Sequence, residues 1–150
     1  RLTDGKVSWQ EKNKGNWRTT GQAVAVKNLN LVFMAANRPG KKAWNAQYGG
    51  QGCVRALDLW SGKVKWQQDF DVEANTTPAV VTAGPPMVLV SLGSVLGQPV
   101  KETATGDEWR SRLVSLDANS GALLWAHDFA PWQQYSARGS TPASVYTPTA

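Results

Sequence analysis

Apolar and polar residues alternate along several short stretches of the chain, and no stretch carries a convincing helical period of about 3.6 residues. The alternation predicts strands at about residues 23–27 and 29–34, parted near Asn28, and at about 79–81 and 87–92, parted by Gly84, Pro85 and Pro86. Val54, Ala56 and Leu57 then lead into a turn over Asp58 to Gly62, and residues 63–70 lead out of it. A period of two places Val64, Trp66 and Phe70 on one face of the outgoing strand. The same period groups Leu123, Trp125, His127 and Phe129 after a matching turn over Asp117 to Gly121. In both turns the aspartate can accept backbone N–H groups, and Gly62 and Gly121 can take a positive φ that other residues resist.

These hairpins are copies of one another. Ala56-Leu57-Asp58-Leu59-Trp60-Ser61-Gly62-Lys63-Val64-Lys65-Trp66 overlays Ser115-Leu116-Asp117-Ala118-Asn119-Ser120-Gly121-Ala122-Leu123-Leu124-Trp125. Leu, Asp, Ser, Gly and Trp are identical in place. An earlier partial copy, Thr3-Asp4-Gly5-Lys6-Val7-Ser8-Trp9, has Arg1 where the others have aspartate. Trp9, Trp66 and Trp125 thus recur at intervals of roughly 58 residues, a period that indicates a propeller or a solenoid. Thr76-Thr77-Pro78-Ala79-Val80-Val81 and Ser140-Thr141-Pro142-Ala143-Ser144-Val145 echo each other farther along the same unit.

Strand, Gly/Pro punctuation, strand, long connection and hairpin describe a four-stranded antiparallel blade. We therefore read the fold class as all-β, a piece of a β-propeller with the end of a first blade at 1–18, a second at 19–72, a third at 73–136 and the start of a fourth at 137–150. Connections near Asn28, at 58–62, 82–86 and 117–121 are short. Those at 36–53, 71–77, 93–111 and 130–141 are long. In an up-and-down blade the long connections emerge at one end, where binding usually resides.

A hydrophobic content of 41% with 18% charged residues describes a folded globular chain rather than a disordered one. No apolar run approaches the roughly 20 residues of a transmembrane helix. The net charge of +5 gathers at Lys12, Lys14 and Arg18 and at Arg38, Lys41 and Lys42, in Gly/Asn/Pro-rich stretches that read as solvated loops rather than a nucleic-acid footprint. Cys53, the single cysteine, has no partner for an internal disulfide.

The pattern AxDxxTGxxxW, with Ser61 and Ser120 at the threonine position, resembles the tryptophan-docking motif of the PQQ-like β-propeller repeat family. That family contains quinoprotein alcohol dehydrogenases and also outer-membrane assembly scaffolds that bind no quinone. The resemblance implies a closed ring of roughly seven or eight blades, so the remaining blades are the first expected partners. It also implies structural docking roles for Trp9, Asp58, Gly62, Trp66, Asp117, Gly121 and Trp125. Each tryptophan would stack on the glycine turn of a neighbouring unit and give its indole N–H to a backbone carbonyl. Family habit implies a periplasmic or secreted location.

Quinone enzymes of the family hold PQQ near the ring axis together with Ca²⁺ or a lanthanide ion. The resemblance implies that the positions of this chain approaching that axis are Glu73, Asn75, Thr76 and Thr77, then Arg138, Ser140 and Thr141. Their oxygen ligands suit a hard cation beside a quinone, although Thr-Pro pairs also begin ordinary strands. Trp17, Trp44, Tyr48, Trp109, Arg110 and Trp132 fall in the long connections, where aromatic planes amid guanidinium and amide groups suit a flat ligand or a sugar. Packing of loops onto the sheet ends is the competing expectation for these rings.

Two departures weigh against the enzyme. Many family dehydrogenases carry an adjacent cysteine pair, whereas Cys53 stands between Gly52 and Val54, and no residue matches a catalytic-base motif. His127 is the single histidine and no cysteine cluster accompanies it, so the residues form no zinc pattern and no metal ligand is assigned. Gly49-Gly50-Gln51-Gly52 precedes a strand rather than a helix and is not a phosphate loop. The expected function is a scaffold that binds a protein or a small molecule through its loop-rich face. The alternative is a PQQ-dependent dehydrogenase oxidising an alcohol or a sugar.

Overall fold

The computed structural model describes residues 4, 6–11, 17, 19, 21–37, 51–74, 76–93, 107–109, 111–129 and 132–134. They form an all-β arrangement of two four-stranded antiparallel sheets and a two-stranded ribbon. The first sheet runs in chain order through β1 (Val24–Val26), β2 (Leu31–Asn37), β3 (Gly52–Asp58) and β4 (Val64–Phe70). The second runs through β5 (Ala79–Val81), β6 (Met87–Gly93), β8 (Ser111–Asp117) and β9 (Leu123–Asp128). β7 (Asp107–Trp109) pairs with β10 (Trp132–Gln134) as the ribbon. No helix among the described residues is long and apolar enough to cross a membrane.

Between β1 and β2 the chain makes a 3₁₀ turn over Lys27–Leu29 that ends on Asn30 at φ 55. Alternation alone puts Leu29 and Asn30 in the strand. The structure moves its start to Leu31, because asparagine tolerates the left-handed conformation and the Asn30 N–H closes the turn on the Lys27 carbonyl at 3.0 Å.

Alternation on the strands becomes a core between the sheets. Phe33, Ala35, Val54, Ala56 and Trp66 of the first sheet pack against Val88, Val90, Leu92, Val114 and Leu116 of the second, all buried. The cross-strand partners Phe33, Ala56 and Trp66 share one face by register, and Phe33 and Trp66 meet as tilted rings 6.0 Å apart. On the opposite face of the first sheet Ala36 and Cys53 pack against Trp17, which leaves the Cys53 thiol buried. Among the described residues, the first sheet thus has packing on both faces.

Each hairpin carries a bulge that simple alternation does not anticipate. Ala56 lies opposite Trp66 but Leu57 lies opposite Val64, so Lys65 is the extra residue. Likewise Ser115 lies opposite Trp125 and Leu116 opposite Leu123, with Leu124 extra. Val64 therefore leaves the face of Trp66 and Phe70, and Leu123 leaves that of Trp125, His127 and Phe129. The outgoing strands carry a mixed pattern in place of a single apolar face, and Val64 is 43% exposed while Trp66 is 9% exposed.

Candidate functional site

The two glycine turns have the same construction. Asp58 Oδ1 accepts the N–H groups of Trp60 and Ser61 at 3.2 and 2.9 Å and the Ser61 hydroxyl at 2.8 Å. Asp117 Oδ1 accepts those of Asn119 and Ser120 at 3.1 and 2.7 Å and the Ser120 hydroxyl at 2.7 Å. Gly62 and Gly121 close the turns at φ 68 and φ 76, donating to the Asp58 and Asp117 carbonyls at 2.8 Å each. The serine hydroxyl, as the largest cause, and the serine N–H draw Asp58 down to about 2. Asp117 is lowered from the ordinary carboxylate range by the equivalent Ser120 groups.

A tryptophan from the preceding unit lies on each of these turns. Trp66 donates its indole N–H to the Ala118 carbonyl at 2.9 Å, and its ring lies over Gly121 so closely that a Cβ there would stand 2.6 Å from it. Trp9 donates to the Leu59 carbonyl at 2.8 Å and lies over Gly62 in the same way. A side chain larger than hydrogen at either glycine would displace the indole. Burying an indole removes roughly 200 Å² from water, an upper contribution of about 5 kcal/mol. Trp125 holds the corresponding position on β9 and is 43% exposed, beside Phe129 at 50%.

At the other end of the sheets, the connection from β4 to β5 passes between the two sheets. The Gly93 N–H donates to the Glu73 carbonyl at 2.9 Å, and the Ala74 N–H donates to Asn37 Oδ1 at 2.7 Å. The Thr76 hydroxyl is given to the Ser91 carbonyl at 3.4 Å, and Thr77 Oγ1 accepts the Gln22 N–H at 3.0 Å. Glu73 and Thr76 are buried, as is Asn37. Asn37 is a member of this polar group that the strand pattern does not single out; the signal was an amide ending an apolar run.

A quinone with its cation would need oxygen and nitrogen ligands turned toward an open cradle. Thr76 and Thr77 are instead engaged with backbone groups of this chain, and no described cluster of three or more His, Cys, Asp or Glu side chains could hold a metal ion. Asn75, Arg138, Ser140 and Thr141 lie outside the described residues.

Of the loop aromatics, Trp17 is 9% exposed and belongs to the packing under the first sheet. It also lines a shallow cleft of about 100 Å³ with Gln51, Gly52, Asp69 and Phe70. The ribbon sets Trp109 directly opposite Trp132 in backbone register, continuing the β8–β9 pair beyond Ser111 and Phe129. Trp44, Tyr48 and Arg110 lie outside the described residues. No protein-family model matches this chain, and no curated protein matches it.

Proposed function

We propose that the two sheets are consecutive blades of a PQQ-like β-propeller and that the chain serves as a binding scaffold, taking a protein or small-molecule ligand at the end that carries the long connections. The observation that carries this reading is the pairing of Trp109 with Trp132. These residues come from two long connections, separated in sequence by the whole β8–β9 hairpin, and a rigid sheet brings them side by side. Cross-strand aromatic pairs can offer a broad contact surface at low conformational cost. The propeller reading is supported by the repeated tryptophan-on-glycine contact, which uses the same atoms in both places.

The test is to probe glycan and peptide arrays with the labelled chain and with Trp109→Ala/Trp132→Ala. The expected result is saturable binding to one ligand class that the double variant loses while its melting temperature stays within about 2 °C of the original. Binding unaffected by the double substitution would refute the scaffold site. A parallel titration with PQQ and Ca²⁺ follows tryptophan fluorescence. Saturable, metal-dependent quenching would replace the scaffold with the dehydrogenase reading.

A further inference from the structure

The outgoing strands of the two sheets end alike, on Asp69-Phe70 and on Asp128-Phe129, but the residue across from the aspartate differs. On the second sheet Arg112 is the cross-strand partner of Asp128, and its guanidinium donates from Nε and Nη2 to the two carboxylate oxygens. On the first sheet the partner of Asp69 is Cys53, whose buried thiol brings no cation. Asp69 Oδ1 accepts the Gln67 amide at 2.7 Å, and no cation among the described residues pairs with this carboxylate. Arg55, the next cation along that face of β3, is engaged by Glu11 at 3.0 Å.

Beside Asp69 lies the cleft of about 100 Å³ lined by Trp17, Gln51, Gly52, Asp69 and Phe70. Gly52 brings no side chain into it, and Gln51 and Asp69 are exposed, so the cleft is open to solvent. Two aromatic rings, an amide and a carboxylate with no cation of its own suit a compact positive group with flat apolar faces. A guanidinium is such a group, because it stacks on rings and pairs with a carboxylate through two parallel N–H groups. A cavity of about 150 Å³ holds benzene, so this smaller cleft fits a guanidinium and is too small to enclose a sugar ring.

We propose that this cleft binds the guanidinium of a ligand, which takes the place beside Asp69 that Arg112 holds beside Asp128. The site is built on the first sheet, whereas the Trp109–Trp132 ribbon continues the second, and the two do not depend on each other. The group can arrive on a small guanidino compound or on the arginine side chain of a partner protein. Exposure of the carboxylate keeps the affinity for the isolated head group weak, with a dissociation constant of roughly millimolar order.

A titration with methylguanidinium chloride, followed by amide and indole resonances of the chain, tests the site. Saturable shifts are expected at Gly52, Phe70 and the Trp17 indole N–H, and none at Asp128, whose carboxylate already holds Arg112. Asp69→Asn preserves the size of an exposed side chain, and hence the fold, and should weaken binding by about tenfold or more. Methylammonium, a compact point charge without a planar fork, should bind several-fold more weakly than methylguanidinium. Tighter binding of an acetylated, amidated arginine tripeptide would support the site and identify a protein side chain as the source. Equal binding would support it with a small guanidino compound. Absence of saturation at Gly52 and Trp17 overturns the proposal, as do shifts that persist in Asp69→Asn. Methylammonium binding as tightly as methylguanidinium overturns the assignment of a guanidinium.

Discussion

Trp66 on β4 and Trp125 on β9 each follow a bulge, sit opposite a small residue of the neighbouring strand, Ala56 or Ser115, and come from hairpins with the same turn. Trp66 is 9% exposed and donates to Ala118, and Trp125 is 43% exposed. The register and the bulge are the same in both places. Burial is decided by the neighbouring unit, which supplies a glycine turn to one indole and none, among the described residues, to the other. Trp66 therefore ties the core face of its own sheet to the turn of the next unit, as expected where repeats are stabilised through their nearest-neighbour interfaces.

Truncating each indole to alanine separates the two tryptophans most strongly. Trp66→Ala should cost about 3–5 kcal/mol, as removal of a buried aromatic does, while Trp125→Ala should cost under about 1 kcal/mol. Urea unfolding at low protein concentration reads both. Equal losses would show that Trp125 is covered in solution and that the difference in burial has no energetic meaning.

The glycine beneath the ring sharpens the contrast at the next level. Gly84 at φ 89 has nothing within 4 Å of an added Cβ, whereas at Gly121 the added atom would stand 2.6 Å from Trp66. Both substitutions to alanine incur a left-handed backbone cost of about 1 kcal/mol, and Gly121→Ala adds an overpacking cost of about 1–3 kcal/mol. In a Trp66→Ala background that second cost should vanish, leaving Gly121→Ala and Gly84→Ala alike. A persistent difference in the double-mutant cycle would place the strain somewhere other than at the indole.

How far the sequence could be read depends on how local the deciding interaction is. Alternation on β5 and β6 and the Asp-to-Gly turns are legible because strand pleat and left-handed glycine are properties of a few adjacent residues. The bulges at Lys65 and Leu124 were not, since an extra residue shows only once the opposing strand is in register. Asn30 shows the same limit more mildly: the choice between asparagines at 28 and 30 for the left-handed position rests on the closing hydrogen bond. At the candidate site, the turn threonines and Glu73 were visible as polar residues ahead of a strand. The burial of Glu73 and Thr76 between two sheets follows from tertiary contacts of this connection with Asn37, Ser91 and Gly93. Trp17 is likewise indistinguishable in sequence from an exposed loop aromatic until Ala36 and Cys53 meet it.

The smallest effect separates the two turns from each other. Asp58 has the Lys65 ammonium 3.4 Å from its carboxylate, and at the equivalent position beside Asp117 the chain has Leu124. Both carboxylates are lowered mainly by their serine partners, so each contributes stability above the ordinary carboxylate range. For Asp58 that contribution fades as the pH falls from about 4 toward about 2. The unfolding midpoint of the unsubstituted chain should fall across this window more steeply than that of Asp58→Asn, and the two curves should converge at its acid end. Lys65→Ala should bring the titration of Asp58, followed by carboxyl resonances, closer to that of Asp117 and leave Asp117 itself unmoved. The exposure of both turns to solvent keeps the change modest. Parallel midpoint curves for Asp58→Asn and the unsubstituted chain would show that the turn is held by backbone and glycine geometry alone, and that Lys65 guards the strand edge without strengthening the turn.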